Sequence, residues 1–150
     1  DQFQALGITD EFVQDNHSMS GAVGTLRGLH YQRPPHAQDK LVRCTRGAIF
    51  DVAVDLRAGS KTFGQWVGEL LSAENKRQLW VPEGFAHGFA TLRDNTVFSY
   101  KCTNFYNKAS EDCLLWNDPE IGINWNLENP LLSEKDLQGK LIKDFVSLFP

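Results

Sequence analysis

The chain has 150 residues, 41% hydrophobic and 23% charged, and a formal net charge of −4. This length can bury one substantial core, so the composition predicts a single domain rather than two. A net acidic chain has no basic field to attract nucleic acid or anionic lipid, which argues against both partners. No apolar run reaches the roughly 18 residues that a membrane-spanning helix needs. An anionic ligand must therefore be bound by a few local Arg and Lys side chains.

Cys44, Cys102 and Cys113 are odd in number and show no C-x-x-C spacing. This pattern favours reduced thiols in a cytoplasmic protein over a disulfide framework. The chain starts with DQFQALGITD and has no initiator Met. We therefore expect that an N-terminal segment is missing from it.

The stretch LRGLHYQ, residues 26–32, has the alternation of a strand. Strict alternation places the even-numbered residues, which include Gly28, His30 and Gln32, on one face, and Arg27 with the other odd-numbered residues on the opposite face. A face with these polar groups is either exposed or lines a site.

Further strands are predicted at residues 49–56, 64–70 and 95–103, where apolar residues recur at every second position. Turn signals at 33–35, 57–61, 82–84 and 93–95 give the spacing of an antiparallel sandwich or barrel. Only the C-terminus has helical periodicity, at Leu137, Leu141, Phe145 and Leu148, after a capping box from Ser133 to Asp136.

The chain has four histidines, His17, His30, His36 and His87, and each is open to a purely structural explanation. The stretch VPEGFAHGF resembles the second metal-binding motif of the cupins, which are double-stranded β-helix (jelly-roll) barrels. The first cupin motif, however, has no counterpart, because His30-Tyr31-Gln32 is not followed by a Glu. These ligands are too few for a first-row metal, so we expect the barrel without a metal.

A more specific resemblance is carried by nine segments in chain order: FVQDNHS, LRGLHYQ, AQDKLV, FDVAVDLR, TFGQWVGELLSAEN, RQLWVPEGFAHGF, TNFYNKASE, WNDPEIGINW and LSEKD. Together they resemble the dTDP-4-dehydrorhamnose 3,5-epimerase family, cupin-fold enzymes of deoxysugar biosynthesis. The resemblance implies a mainly β barrel with a short C-terminal helical segment and one epimerase domain over residues 1–150. It further implies a homodimer without metal or organic cofactor.

The implied reaction removes a proton α to the 4-ketone of a dTDP-linked 4-keto-6-deoxyhexose and returns a proton to the opposite face. His30 would be the base and Asp136 its carboxylate partner, although Asp136 is equally the capping position of its own helix. Lys40 would stabilise the enolate, unless it is a solvated surface lysine. Tyr106 would be the acid, unless it is an ordinary aromatic residue of the barrel wall.

The resemblance also implies that Arg27 and Lys135 bind the diphosphate, that Gln14 and Asn16 lie at the nucleotide end, and that His87 lines the sugar pocket. A guanidinium suits a diphosphate because its donors form a planar fork. The family's N-terminal RGFF-type segment, which contributes to nucleotide binding, is absent. Two alternatives stay open: a non-catalytic nucleotide-sugar binder on the same barrel, and a metal-dependent cupin oxygenase or isomerase. The sequence leaves undecided the nucleotide base and whether one or both carbons beside the ketone are inverted.

Overall fold

A computed structural model of the chain describes residues 2–150. Nine strands follow one another: β1 Gln14–Ser20, β2 Leu26–Gln32, β3 Lys40–Arg46, β4 Ala48–Asp55, β5 Trp66–Ser72, β6 Gln78–Val81, β7 Phe85–Thr91, β8 Thr96–Cys102 and β9 Glu111–Cys113. The helices are single turns, α1 Gln2–Ala5 and α2 Glu134–Leu137, with a 3₁₀ turn at Ile142–Asp144. In residues 2–150 no helix is long and apolar enough to cross a membrane.

The strands form two antiparallel sheets. The four-stranded sheet has the order β1-β8-β3-β6, and the five-stranded sheet has the order β5-β4-β7-β2-β9. The predicted strands at 26–32, 49–56, 64–70 and 95–103 correspond to β2, β4, β5 and β8, so the period of two identified these strands correctly. Consecutive strands such as β3 and β4 lie in different sheets, as in a jelly-roll barrel.

The central strands of the five-stranded sheet are buried on both faces, whereas the edge strand β5 is partly exposed. On β4, Val52 and Val54 belong to a core cluster on the outer face with Trp125 and Phe149 from the C-terminal part of the chain. Ile49 lies on the inner face, in a second cluster that also contains Phe98 of the opposite sheet. The loops after β9 therefore cover one face of the sheet, and the other face looks into the barrel.

The strict alternation predicted for β2 is wrong at its first residues. A bulge between Arg27 and His30 shifts the register against β7. Leu26 packs in the outer cluster, whereas Arg27 pairs with Phe89, which lies in the inner cluster. Since paired residues share a face, the bulge puts Arg27 on the same side as His30.

The bulge depends on Gly28. Its φ is +123°, a conformation that side chains with a Cβ rarely adopt. A Cβ built at Gly28 would lie 2.6 Å from Cα of Gly88 on β7. Any larger residue would therefore separate the two strands at the position of His30.

The short C-terminal helical segment is confirmed as α2, but the helical spacing of the apolar residues from Leu137 to Leu148 does not extend it, since α2 ends at Leu137. The following chain pairs instead with the segment after β9, where Leu115 N donates to Lys140 O at 2.8 Å. Gly139 permits this close approach, because a Cβ there would lie 2.5 Å from the carbonyl carbon of Leu114. Leu137 and Leu148, which the pattern assigned to one helical face, are both exposed.

Candidate active site

A histidine–carboxylate pair lies at the centre of the candidate site. The side chains of His30 on β2 and Asp136 on α2 meet with 2.6 Å between Nε2 and Oδ1. Asp136 is fully buried, and the His30 side chain is 26% exposed. Because Asp136 accepts a hydrogen bond from the Nε2 position, the Nδ1 atom of His30 remains free to act on a ligand.

Asp136 serves both the pair and its own helix. Its backbone N–H donates to Ser133 Oγ at 3.2 Å, and the Ser133 hydroxyl donates to Asp136 Oδ2 at 2.6 Å. The N–H of Gly28 donates to Oδ1 at 3.3 Å. Burial favours the protonated carboxyl, but the hydrogen bonds from His30 and Ser133 outweigh it and hold the pKa of Asp136 below its usual range. The cap therefore fixes the carboxylate that contacts the histidine.

A second histidine–carboxylate pair lies beside the first. His87 on β7 is the register partner of His30, so both imidazoles start from the inner face of the sheet. His87 Nε2 lies 2.7 Å from Oδ1 of Asp51 on β4, and the pair is almost entirely buried. In residues 2–150 no group donates to Asp51 Oδ2. His87 thus neighbours the predicted base, although it is not among the residues that line the adjoining cavity.

The opposite sheet contributes a cation and a phenol. Lys40 begins β3, and its ammonium lies 5.9 Å from the ring centroid of Tyr100 on β8. Burial lowers the pKa of Lys40, although Cys102 and more distant carboxylates raise it in part. Lys40 is half-buried and its pKa is lowered by burial, which distinguishes it from a solvated surface lysine. Burial, then the charges of Cys102 and Glu111, raise the pKa of Tyr100 to about 12.

One cavity joins these groups. Its lining residues come from both sheets and from the loops after β2 and β8: Gln14, Asn16, His30, Tyr31, Gln32, Gln38, Lys40, Tyr100, Cys102, Tyr106 and Glu111. A base from one sheet therefore faces a cation and a phenol from the other across a shared space. This arrangement can remove a proton, stabilise the resulting negative charge and return a proton.

Tyr106 lies in the loop after β8, at the edge of this cavity. The residue is 54% exposed, and its hydroxyl donates to Glu111 Oε2 at 2.7 Å. The other oxygen of Glu111 lies 2.6 Å from the Lys135 ammonium. The hydrogen bond to Glu111 raises the pKa of Tyr106. Burial raises the pKa of Glu111, but hydrogen bonds from Lys135 and Tyr106 outweigh it and lower the pKa.

Of the predicted binding residues, Gln14 and Asn16 line the same cavity, whereas Arg27, Lys135 and His87 do not. Gln14 and Asn16 follow one another on one face of β1, with 3.0 Å from Gln14 Nε2 to Asn16 Oδ1. The Arg27 guanidinium donates to the carbonyls of Leu26 and Leu131 at 2.8 and 3.1 Å. Arg27 does not line the cavity itself, but Leu131 lies shortly before the helix that carries Lys135.

His17 and His36 lie away from the pair. His17 is exposed on β1. His36 Nδ1 lies 2.8 Å from the hydroxyl of Ser110 in a loop contact. Both positions agree with structural or surface roles.

The donor set fits a metal ion poorly. Potential ligand atoms of His30, Asp136 and Cys113 lie within 4.8 Å of one another. Metal binding needs the thiolate, but burial, with the charge of Asp136, raises the pKa of Cys113 to about 12. Asp136 Oδ1 and His30 Nε2 are already bonded to each other, and so are His87 Nε2 and Asp51 Oδ1. The cupin-type histidines therefore form carboxylate pairs that offer no open set of ligands.

The comparisons with known proteins agree on one family. The family model described as dTDP-4-dehydrorhamnose 3,5-epimerase matches residues 1–144. A dTDP-4-dehydrorhamnose 3,5-epimerase of Shigella flexneri is 60% identical over 141 residues, which are 94% of this chain and 77% of that protein. The chain belongs to the dTDP-4-dehydrorhamnose 3,5-epimerase family.

Solved structures of relatives agree in fold. The dTDP-6-deoxy-D-glucose-3,5-epimerase of Legionella pneumophila, in complex with dTDP-4-keto-L-rhamnose, has a TM-score of 0.91 and 53% identity over 96% of this chain and 76% of that chain. A 3'-monoepimerase of Streptomyces bikiniensis, in complex with dTDP, has a TM-score of 0.85 and 35% identity over 95% and 71% of the two chains. That structure is a double variant with the histidine at position 60 changed to asparagine and the tyrosine at position 130 changed to phenylalanine. The cupin-type barrel is confirmed.

Three residues of this family member were missed by the sequence reasoning. Asp51 and Tyr100 were treated only as members of alternating strands, and Glu111 only as the last residue of a motif. Asp51 carried a usable signal, since a carboxylate within the apolar run FDVAVDL must be buried with a partner. Nothing in the sequence indicated that Glu111 would connect Tyr106 to Lys135.

Proposed function

We propose that the protein is a cofactor-independent epimerase that converts dTDP-4-dehydro-6-deoxy-D-glucose to dTDP-4-dehydro-L-rhamnose. The family assignment supports the substrate and makes the enzyme an isomerase. The observation that supports the chemistry best is the 2.6 Å contact between His30 and buried Asp136, at a cavity that also holds the half-buried Lys40. No observation favours a non-catalytic binder or a metal-dependent oxygenase.

In the proposed mechanism, Nδ1 of His30 removes the proton from the carbon beside the ketone. Asp136 holds the imidazole in the required tautomer and stabilises the imidazolium that forms. The ketone oxygen gains negative charge as the enolate forms, and the Lys40 ammonium stabilises this charge in a partly desolvated site. Each of the two flanking carbons then receives a proton on the face opposite to His30.

Two tyrosines are candidates for the group that returns this proton. Tyr106, which the resemblance indicates, is exposed, and its hydroxyl is hydrogen-bonded to Glu111. Tyr100 is half-buried beside Lys40, in the sheet that faces His30. His30 and Tyr100 are also 70 positions apart, which is the separation of positions 60 and 130, the two residues replaced in the Streptomyces bikiniensis variant. We therefore favour Tyr100 as the acid and assign Tyr106 to the nucleotide end, next to Gln14.

Matched phenylalanine variants separate these two assignments. Tyr100→Phe deletes one hydroxyl but leaves His30 able to form the enolate, so it should still incorporate solvent deuterium with retained configuration while epimerised product falls steeply. Tyr106→Phe should epimerise at a rate near that of the wild type. The reverse outcome would return the acid role to Tyr106.

The overall proposal is tested by incubating the protein with dTDP-4-dehydro-6-deoxy-D-glucose in deuterated water and reading the labelled ring positions. Exchange at both flanking carbons, with formation of the L-sugar, is the expected result. His30→Asn should lower exchange by about a hundredfold or more, the usual contribution of a general base. A protein that binds the nucleotide sugar without any exchange would be a binder, and the proposal would be wrong.

We also propose that residues 1–150 act as one epimerase domain in a cytoplasmic homodimer. Both sheets pack against shared core residues, which supports a single domain. Cys44, Cys102 and Cys113 are buried and unpaired, which suits a reducing compartment. The dimer rests on the resemblance alone, and sedimentation of the purified protein at micromolar concentration tests it.

A further inference from the structure

The side-chain amide of Gln32 is hydrogen-bonded through both its nitrogen and its oxygen to two loops at the edge of the cavity. It lies two residues after His30 on β2 and is 6% exposed. Its Nε2 donates to the carbonyl of His36 at 2.6 Å and to that of Phe105 at 3.2 Å. Its Oε1 accepts from the N–H of Asn107 at 2.8 Å.

These contacts lie on both sides of Tyr106. Gln32 binds the carbonyl of the residue before it and the N–H of the residue after it, and Gln14 Oε1 accepts the N–H of Tyr106 itself at 2.8 Å. Residues 105–107 lie outside any strand, so strand pairing does not satisfy their backbone groups. The side chains of Gln32 and Gln14 bind these backbone groups instead. A buried amide with every group bonded gives this segment a defined position relative to His30.

We propose that Gln32 is a positioning residue that holds segment 105–107 so that Tyr106 meets the nucleotide end of the substrate. This inference rests on the proposed function, because it assumes a dTDP-sugar in the cavity. Gln32 lines the cavity, but its amide groups are bonded to backbone, so we expect it to act on the ligand through Tyr106. Its loss should therefore weaken nucleotide binding without slowing proton transfer at the sugar.

The test compares Gln32→Glu with Arg33→Ala. Gln32→Glu keeps the length and the acceptor for Asn107 but loses both amide donors. Arg33→Ala is the control, since Arg33 binds the same loop at the carbonyls of Ala109 and Ser110, at 2.6 and 3.5 Å. We expect Gln32→Glu to weaken dTDP binding by about tenfold, because the segment that carries Tyr106 must then be ordered when the ligand binds. Arg33→Ala should bind dTDP normally, and the single-turnover rate at saturating substrate should stay within about twofold in both variants.

A double-mutant cycle shows whether Gln32 acts through Tyr106. In a Tyr106→Ala background, Gln32→Glu should cause little further loss of dTDP affinity, because the side chain it positions is gone. An equal loss in both backgrounds, or an equal effect of Arg33→Ala, would overturn the proposal. Gln32→Leu, which removes every polar contact of this side chain, repeats the cycle if the Glu variant does not fold.

Amide hydrogen exchange keeps this inference separate from the proposed function. The Asn107 N–H should exchange faster in Gln32→Leu than in the wild type, even without ligand, because its acceptor is removed. Unchanged exchange would overturn the positioning role whatever the protein catalyses. If wild-type protein fails to bind dTDP while the Asn107 amide responds as expected, the proposed function fails and the structural contact stands.

Discussion

Replacing Asp136 with Asn tests whether this residue is a catalytic partner as well as a helix cap. The amide has the same shape, so its oxygen can still accept from His30 and Gly28 while its NH₂ faces Ser133. What is lost is the negative charge beside the imidazolium. A buried hydrogen bond to a charged group contributes about 1.5–3 kcal/mol, which corresponds to a fall of about 10-fold to 150-fold in the rate of proton abstraction.

The matched control is Ser133→Ala, which removes the cap but leaves the Oδ1 contact with His30. Loss of an N-cap destabilises a protein by about 1 kcal/mol, so this variant should unfold earlier and keep most of its activity. The assay combines deuterium exchange at saturating substrate with thermal unfolding of both variants. Full activity in Asp136→Asn would show that Asp136 is only a cap.

Three further predictions concern a cation, a metal and stability at low pH. Lys40→Met should slow enolisation with little change in dTDP affinity. Because burial lowers the pKa of Lys40, the wild-type rate should decline at a pH below the usual pKa of lysine, and Lys40→Met should lack this decline. Prolonged chelation should leave turnover unchanged. Activity that is lost on chelation and restored by one divalent metal would contradict a mechanism in which both histidines are paired with carboxylates. Hydrogen bonds from Arg57, Ser60 and Thr62 outweigh burial and lower the pKa of Asp55. The contribution of Asp55 to stability is therefore complete above pH about 4 and is lost as the pH falls towards the folded-state pKa. Acid unfolding of Asp55→Asn should depend less on pH than that of the wild type.

Alternation in the sequence predicted four of the nine strands, β2, β4, β5 and β8, and left the other five unassigned. It could not predict the bulge in β2, since a register shift depends on how Gly28 meets Gly88 on a strand 60 residues further along the chain. The C-terminal apolar residues had helical spacing, but the backbone of Lys140, which lies between them, pairs with Cys113 and Leu115 instead of continuing a helix.

The candidate site was predictable where one short motif carries one role, as with His30 and Lys40. Contacts made across the fold were not predictable from residue spacing. The capping box, for example, indicated what Asp136 does locally, whereas its contact with His30 joins positions 106 residues apart. Only the family resemblance proposed that pairing. The choice between Tyr100 and Tyr106 likewise depends on burial and on the facing sheet, which the alternation of β8 does not reveal.

The proposed base His30 lies on one sheet and the proposed acid Tyr100 on the other, so the stereochemistry of the reaction depends on how the barrel holds the two sheets together. The rings of Phe89 and Phe98, with centroids 4.3 Å apart, lie between the sheets and hold them at a fixed spacing. Interiors are close-packed, so a smaller residue at either position would let the sheets shift while every side chain of the site is retained. Such a variant would move the proton donor Tyr100 out of its position opposite the base His30. The ratio of substrate that exchanges its proton to substrate that is inverted would therefore measure how well the two sheets are aligned.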